Sequence, residues 1–254
     1  MPLSAQQSFR HIVLSAVVAG LITGLVVTLV QVFTTVPLIA KAEVYEKAAE
    51  AQPSAESVQA APADVHHDHA AHDHGDGDHH GASAWEPKDG FERTFYTGVA
   101  TVLAAIGYAL LLGACFSQMQ SVGWLTGLGL GLAGFIVFQL APAIGLPPEP
   151  PGAPVAELMP RQLWWFGTVV ATALALGAWF YARNHSKLIW IPVGVLLLLL
   201  PHLIGAPQST EGQTVVPQEL ARNFAIAALL TAAVFWLVLG GIEGYLFGKF
   251  SRRA

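Results

Sequence analysis

Histidine and aspartate are concentrated in one short stretch of this sequence, residues 66–80. Seven of the chain's ten histidines fall there: His66, His67, His69, His72, His74, His79 and His80. Four aspartates are interleaved with them: Asp68, Asp73, Asp76 and Asp78. Neutral imidazole nitrogens and carboxylate oxygens are ligands for divalent transition metals. The stretch therefore predicts a metal-binding segment, and its composition does not select among cobalt, nickel, zinc and copper.

The same fifteen-residue stretch has no means of folding on its own. Residues 66–80 contain no large apolar side chain, so they cannot bury a hydrophobic core. We expect this segment to be disordered unless an ion binds it. The alternative interpretation is a solvated polar linker that separates its neighbours and is dispensable for activity.

Most of the remaining chain is apolar enough to lie in a membrane. Hydrophobic residues make up 54% of the 254 residues, and charged residues only 11%. Residues 12–40 and 94–148 carry no charged side chain, and about 20 apolar residues suffice for one bilayer-spanning helix. The sequence predicts an all-α integral membrane protein with about six transmembrane helices. We expect three αα-hairpins and one long, disordered, His-rich extracytoplasmic loop.

The predicted spans follow the apolar runs, at about 12–40, 95–116, 122–146, 163–181, 188–204 and 223–247. The first run far exceeds the apolar region of a signal peptide, which is about 7–15 residues long, so a retained helix is favoured. Residues 42–47 are expected to extend that helix by a few turns. Pro192 and Pro201 are expected to break the fifth span, because proline lacks a backbone N–H.

Regularly spaced glycines predict close contacts between helices. Gly20 and Gly24 are separated by four residues in the first span, and Gly240, Gly244 and Gly248 repeat the same spacing in the last. Small residues at this spacing place a strip of bare backbone on one helix face. We expect another helix to pack closely there.

Charge distribution predicts how the chain crosses the membrane. The predicted spans divide the chain into three regions: residues 1–40 with the first span, the 41–93 extramembrane loop, and a five-helix region over 94–254. Short segments on one side carry basic residues: Arg10, Arg183, Lys187, Lys249, Arg252 and Arg253. Basic residues in short loops mark the cytoplasmic side. Both termini are therefore predicted to be cytoplasmic, and the His-rich loop lies on the opposite, periplasmic side.

Further candidate metal ligands lie near the membrane region. His202 follows Pro201, and Gln139 precedes Pro142 by a turn, so both are expected near the outer ends of helices. Glu43 and Glu46 follow the first span and offer oxygen ligands. For each residue, a hydrogen bond or a solvated helix face is the structural alternative. Glu243 is expected to extend to the inner membrane surface, and a carboxylate at the exit of an ion pathway is the alternative.

Motifs for enzymatic chemistry are missing from the sequence. The chain has no Gly-x-x-x-x-Gly-Lys-Ser/Thr loop, no His-Glu-x-x-His, no Gly-x-Ser-x-Gly and no Cys-x-x-Cys. A single cysteine, Cys115, excludes an internal disulfide. We predict no enzymatic activity, no prosthetic group and no nucleic-acid partner.

Several segments spread over the chain carry a resemblance to a known family. They are Phe9-Arg10, Val36-Pro37-Leu38-Ile39, Ala42-Glu43-Val44-Tyr45-Glu46, Gly145-Leu146-Pro147-Pro148-Glu149, Pro151-Gly152, Arg161-Gln162 and Pro201-His202-Leu203-Ile204-Gly205-Ala206-Pro207. Together they resemble the predicted cobalt transporter subunit family CbtA of bacteria. The resemblance implies cobalt as substrate, an association with cobalamin biosynthesis, and a small single-span companion subunit, CbtB, that itself carries histidines.

These features favour cobalt import across the bacterial inner membrane, with the His-rich outer loop capturing the ion. A homo-oligomer in the lipid bilayer is left open. The alternative is a non-transporting, membrane-anchored metal sensor or metallochaperone. A metal exporter shares the same features, but it would have its capture loop on the wrong side.

Overall fold

The computed structural model describes residues 5–51, 87–209 and 215–251, and every regular element among these residues is helical. The elements are α1 (Ala5–Phe33), α2 (Thr35–Glu50), α3 (Phe91–Phe116), α4 (Trp124–Phe135), a π-helical turn (Ile136–Leu140), α5 (Ala141–Gly145), α6 (Leu158–Tyr181), α7 (Lys187–Ile204) and α8 (Gln218–Ser251). The predicted all-α class is confirmed.

Six helical segments in the described residues are long and apolar enough to cross a bilayer. They are Phe9–Phe33, Phe91–Phe116, Trp124–Gly145, Leu158–Tyr181, Lys187–Ile204 and Gln218–Ser251. The prediction of an integral membrane protein with six spans is confirmed. The odd-numbered spans finish at one end of the bundle. This end is called the outer end below, after the orientation predicted from the charge distribution, and the opposite end is called the inner end.

The first span bends where α1 meets α2. Pro37 has no N–H to bond the carbonyl of Phe33, and its ring crowds that carbonyl. Helix α1 accordingly ends at Phe33, and the hydroxyl of Thr34 donates to the carbonyl of Val30 at 2.8 Å. Beyond the bend, α2 continues to Glu50. The predicted extension over residues 42–47 is therefore part of a helix that runs past residue 40 without interruption.

The third span is helical throughout but changes its hydrogen-bond pattern before Pro142. In the π-helical turn, the N–H of Ala141 bonds the carbonyl of Ile136, five residues earlier. A wider turn at this position accommodates the missing N–H of Pro142 and the crowding of its ring. Gln139 lies inside this turn, in a distortion that the apolar pattern of the sequence did not predict.

The fifth span is not broken by its prolines, and that prediction was wrong. Helix α7 runs from Lys187 to Ile204 through both Pro192 and Pro201. Transmembrane helices tolerate proline where neighbouring groups satisfy the freed backbone. The helix ends at Gly205, whose φ of 89° lies in the left-handed region that glycine adopts readily.

Glycines hold α4 and α8 at close range. A Cβ atom added at Gly244 would lie 2.6 Å from the Cα of Gly127, and one added at Gly240 would lie 2.8 Å from the Cα of Gly131. No side chain fits at such separations. The predicted close packing along Gly240, Gly244 and Gly248 is confirmed, and its partner is a second glycine strip on α4.

Helices α1, α3, α4 and α8 form the central bundle. Gly20 and Gly24 of α1 face α3, where added Cβ atoms would lie 2.7 Å from the Cα of Ile106 and 2.6 Å from that of Val102. Helix α6 contacts the outer part of the third span, and α7 packs mainly against α6 instead of against α8. The main contacts therefore do not always join consecutive spans: α3 packs against α1 and α8, not against the third span, and α7 packs against α6, not against α8.

The apolar core contains one acid that sequence reasoning placed at the surface. Large buried side chains of the central bundle include Phe116, Trp236, Leu239 and Phe247. Glu243 lies one turn from Leu239 and one turn from Phe247, and its side chain is 0% exposed. The expectation that Glu243 extends to the membrane surface was wrong, because neighbouring helices enclose it.

Candidate functional site

The described residues include four of the predicted metal ligands, Glu43, Glu46, Gln139 and His202. All four lie toward the outer end: the glutamates on α2, Gln139 near the end of the third span, and His202 in the last turn of α7. The remaining predicted ligands lie outside the described residues; they are His66, His67, His69, His72, His74, His79, His80, Asp68 and Asp73.

Glu43 lines a cavity of mixed polar and apolar character and already has a cationic partner. Its carboxylate accepts a hydrogen bond from Arg93 at the start of α3, and Arg93 also donates to Asp89 at 3.2 Å. The cavity around the pair has a volume of about 430 Å³ and includes Gln31 and Thr35. A metal ion at Glu43 would compete with the guanidinium of Arg93, which contacts the Oε1 atom of the carboxylate.

Glu46 contacts the proline-rich loop that follows α5. A Cβ atom added at Gly152 would lie 3.2 Å from the Cβ of Glu46, and Gly152 has a φ of 76°. Glycine is required here both for the backbone conformation and for the close approach of α2. The contact fixes the loop beside the carboxylates of α2.

Gln139 lines a cavity of about 330 Å³ between the third span, the proline-rich loop and α6. Three further polar side chains line the same cavity: Glu149, Arg161 and Gln162. Sequence reasoning did not select these residues as ligands. The available signal was the run Pro147-Pro148-Glu149-Pro150-Pro151, which places a lone carboxylate in a rigid, extended segment.

Glu149 is an exposed residue, and the proline-rich loop shields only part of its carboxyl group from water. This partial desolvation raises the pKa of the Glu149 carboxyl, and the positive charge of Arg161 opposes the shift. A proton therefore competes with a metal cation for this carboxylate up to a higher pH than it does at an ordinary glutamate. A cation that binds at Glu149 must therefore displace a proton more often at mildly acidic pH.

A pH-dependent contribution to cobalt binding is expected at Glu149. Cobalt binding should weaken as pH falls through the raised pKa, because protonation removes the anionic ligand. In a chain lacking residues 64–80, Glu149→Gln should lower cobalt affinity and flatten this part of the pH profile. Binding measured by titration calorimetry from pH 5 to pH 8 checks both effects. Identical profiles for the two chains would exclude Glu149 as a ligand.

His202 lies apart from the cavity that contains Gln139. Its ring meets Trp164 of α6 edge-to-face at 5.8 Å between centroids, and the indole N–H of Trp164 donates to the carbonyl of Pro201 at 3.1 Å. That carbonyl also accepts the N–H of Gly205 at 3.1 Å, so the backbone beside His202 is hydrogen-bonded. The Nε2 atom of His202 is buried, without a hydrogen-bond partner among the described residues.

The outer end therefore presents separate polar positions. Within residues 5–51, 87–209 and 215–251, no three His, Cys, Asp or Glu side chains lie close enough together to hold a metal ion. Glu43, Gln139 and His202 occupy three different surroundings.

Six apolar spans, with cavities at one end of the bundle that contain a few polar side chains, define a multi-pass integral membrane protein. A family model described as "Probable cobalt transporter subunit (CbtA)" matches residues 9–248. The chain belongs to this family, and the word subunit implies a complex with a partner. No curated protein and no solved structure matches the chain.

Proposed function

We propose that this protein imports cobalt across the bacterial inner membrane. The observation that carries the proposal is the family match, which covers all six spans except the last residues of the sixth. The His-rich segment, residues 66–80, captures divalent ions outside the membrane, as its ligand density and the charge distribution support. The transported ion supplies the cobalt needed for cobalamin biosynthesis, and no enzymatic step is involved.

Captured cobalt enters at the outer end of the bundle. Gln139 and Glu149 offer oxygen ligands in one cavity, and His202 offers an imidazole nitrogen beside Trp164. Each position alone binds a borderline divalent ion weakly. Weak ligation is what transport requires, because an ion held by a closed set of ligands would not be released.

The membrane potential favours this direction of movement. A divalent cation that crosses a potential of 100 mV, negative inside, gains about 4.6 kcal/mol. A companion subunit related to CbtB, bearing its own histidines, completes the working complex in this proposal. The two proteins together deliver cobalt to the inner side.

Radioactive cobalt uptake tests the proposal, in a host that lacks its own cobalt importers and with the companion subunit present. The intact chain should accumulate cobalt, and His202→Ala should lower uptake on the order of tenfold at every cobalt concentration, as loss of a metal-site group typically does. The matched control is His185→Ala, because His185 is exposed at the inner end and stacks on Tyr181 at 3.6 Å. We expect the control to transport normally.

Failure of the intact, membrane-inserted chain to accumulate cobalt would overturn the import proposal. A membrane-anchored sensor or metallochaperone would then be favoured. Accumulation with equal uptake by the His202→Ala and His185→Ala variants would leave transport in place but remove His202 from the pathway.

A further inference from the structure

Glu243 is a buried acid that the proposed cobalt pathway does not use. It lies in the inner half of α8, far along the chain from the outer-end cavities, with its side chain 0% exposed. Its Oε1 atom approaches α1 at Ser15 and α3 at Gly113, where an added Cβ atom would lie 3.2 Å away. Polar groups enclosed in a membrane protein are costly and therefore tend to be functional.

No cation neutralises Glu243 within the described residues. The ion pairs there are both formed by Arg93, at the outer end. On α8 itself, Lys249 directs its ammonium group over the ring of Tyr245, 5.6 Å from the centroid. A buried carboxylate without a cationic partner is strongly disfavoured.

The helices packed around Glu243 supply few other titratable groups. Helix α4 has none, and on α3 the nearest candidate along the chain, Cys115, is exposed. On α1, Arg10 is exposed, whereas His11 lies one turn before Ser15 and its Nδ1 atom is buried, with no hydrogen-bond partner in the described part of the chain. In these surroundings, a proton bound to the carboxylate of Glu243 is the cation that can neutralise its charge.

The hydrogen-bond geometry around Ser15 can accommodate a protonated Glu243. The Ser15 hydroxyl lies 2.8 Å from Oε1 of Glu243 and 2.8 Å from the carbonyl of His11, yet it has one proton to donate. If Glu243 carries a proton, its carboxyl donates to Ser15, and Ser15 donates to His11. Both the carboxyl hydrogen of Glu243 and the hydroxyl hydrogen of Ser15 then have an acceptor.

We propose that Glu243 is the site at which the protein binds and releases a proton during cobalt transport. This proposal rests on the proposed function. On release, the carboxyl O–H bond breaks, the electron pair stays on the carboxylate, and water at the inner end takes up the proton. The Ser15 hydroxyl then turns its hydrogen from the His11 carbonyl to Glu243. Because Glu243 is enclosed, release requires the inner end to open, and this requirement couples the proton to a conformational change.

Infrared spectroscopy tests proton binding without relying on transport. The C=O stretch of a protonated carboxyl is distinct from the bands of a carboxylate, so the intact chain in lipid nanodiscs at neutral pH should show such a band that Glu243→Gln lacks. In Ser15→Ala the band should remain and shift, because the carboxyl loses its hydrogen-bond acceptor. A spectrum in which Glu243→Gln removes no protonated-carboxyl band would overturn the proposal.

Cobalt flux tests the role of this proton in turnover. The amide of Glu243→Gln can donate to Ser15 like a protonated carboxyl but cannot release a proton. This variant should lose net cobalt uptake while still exchanging internal for external cobalt, because exchange needs no proton release. Unchanged net uptake, with an unchanged pH profile, would overturn the proposal, and so would loss of uptake and exchange together.

The two measurements separate this proposal from the proposed function. If the intact chain binds a proton at Glu243 but accumulates no cobalt, cobalt import fails and the proton site stands. If the intact chain accumulates cobalt and Glu243→Gln does so equally well, import stands and the proton site fails.

Discussion

Replacing Gly127 with alanine should destabilise the protein, whereas the same replacement at Gly129, two residues further along α4, should not. A methyl group at Gly127 would lie 2.9 Å from the Cα of Gly244 and would contact the carbonyl of Gly240. The helices would have to separate along the whole strip. We expect a loss of about 1–3 kcal/mol in the free energy of unfolding, as for other overpacked positions.

Gly129→Ala is a matched control because it makes the same chemical change on the same helix. An added Cβ atom at Gly129 meets nothing within 4 Å. Alanine is favoured over glycine in a helix by about 1 kcal/mol, so this variant should be as stable as the parent or more so. Unfolding by denaturing detergent in mixed micelles measures both. Equal stability of the two variants would show that α4 and α8 do not pack through these glycines.

Deleting residues 64–80 should reduce cobalt uptake at low external cobalt and leave uptake at saturating cobalt nearly unchanged. Tethered ligands raise the local concentration of the ion at the outer end, and this gain matters only while capture is limiting. We expect about a tenfold loss of initial uptake rate at cobalt concentrations well below saturation. Initial rates of radioactive cobalt uptake across a concentration series give the comparison.

A second variant separates ligand chemistry from loop length. Replacing all seven histidines between His66 and His80 with glutamine keeps the number of residues and removes the imidazoles. It should behave like the deletion if metal capture is the purpose of the segment. Normal uptake by this variant would favour a spacer, and loss of uptake at every concentration in both variants would contradict a role confined to capture.

The spans could be predicted from the sequence because the bilayer imposes a simple rule of length and charge. Residues 94–148 contain no charge, and the structure forms two spans there, α3 and Trp124–Gly145. The glycine strip of α8 could also be predicted from the sequence, since Gly240, Gly244 and Gly248 repeat at helical spacing. These features depend on neighbours in the sequence and on general properties of lipid.

Contacts between segments that are distant in the sequence could not be predicted in the same way. A membrane helix is apolar on every side, so its sequence gives little sign of which face meets which partner. Nothing local identified Gly127 as the partner of Gly244, or Ser15 as the neighbour of Glu243. The cavity shared by Gln139 and Glu149 likewise depends on how the proline-rich loop folds back.

The prolines illustrate a limit of local rules. Pro37 and Pro142 each accompany a bend or a wider turn, yet α7 continues through Pro192 and Pro201. The missing N–H is the same in every case. The local rule therefore does not separate these cases. The indole of Trp164 donates to the carbonyl of Pro201 itself, which joins α6 to the end of α7 but does not replace the missing bond.

The positions of the bend and the π-helical turn give the bundle an uneven stiffness across the membrane. Near the inner end, glycine strips hold α4 and α8 in close contact, so we expect these two helices to move together as one unit. Near the outer end, the helical hydrogen-bond ladder is interrupted before Pro37 and again before Pro142, and a helix bends most easily where its ladder is interrupted. We therefore expect bending motions of small amplitude mainly in the outer half, which in the proposed function meets the captured ion first.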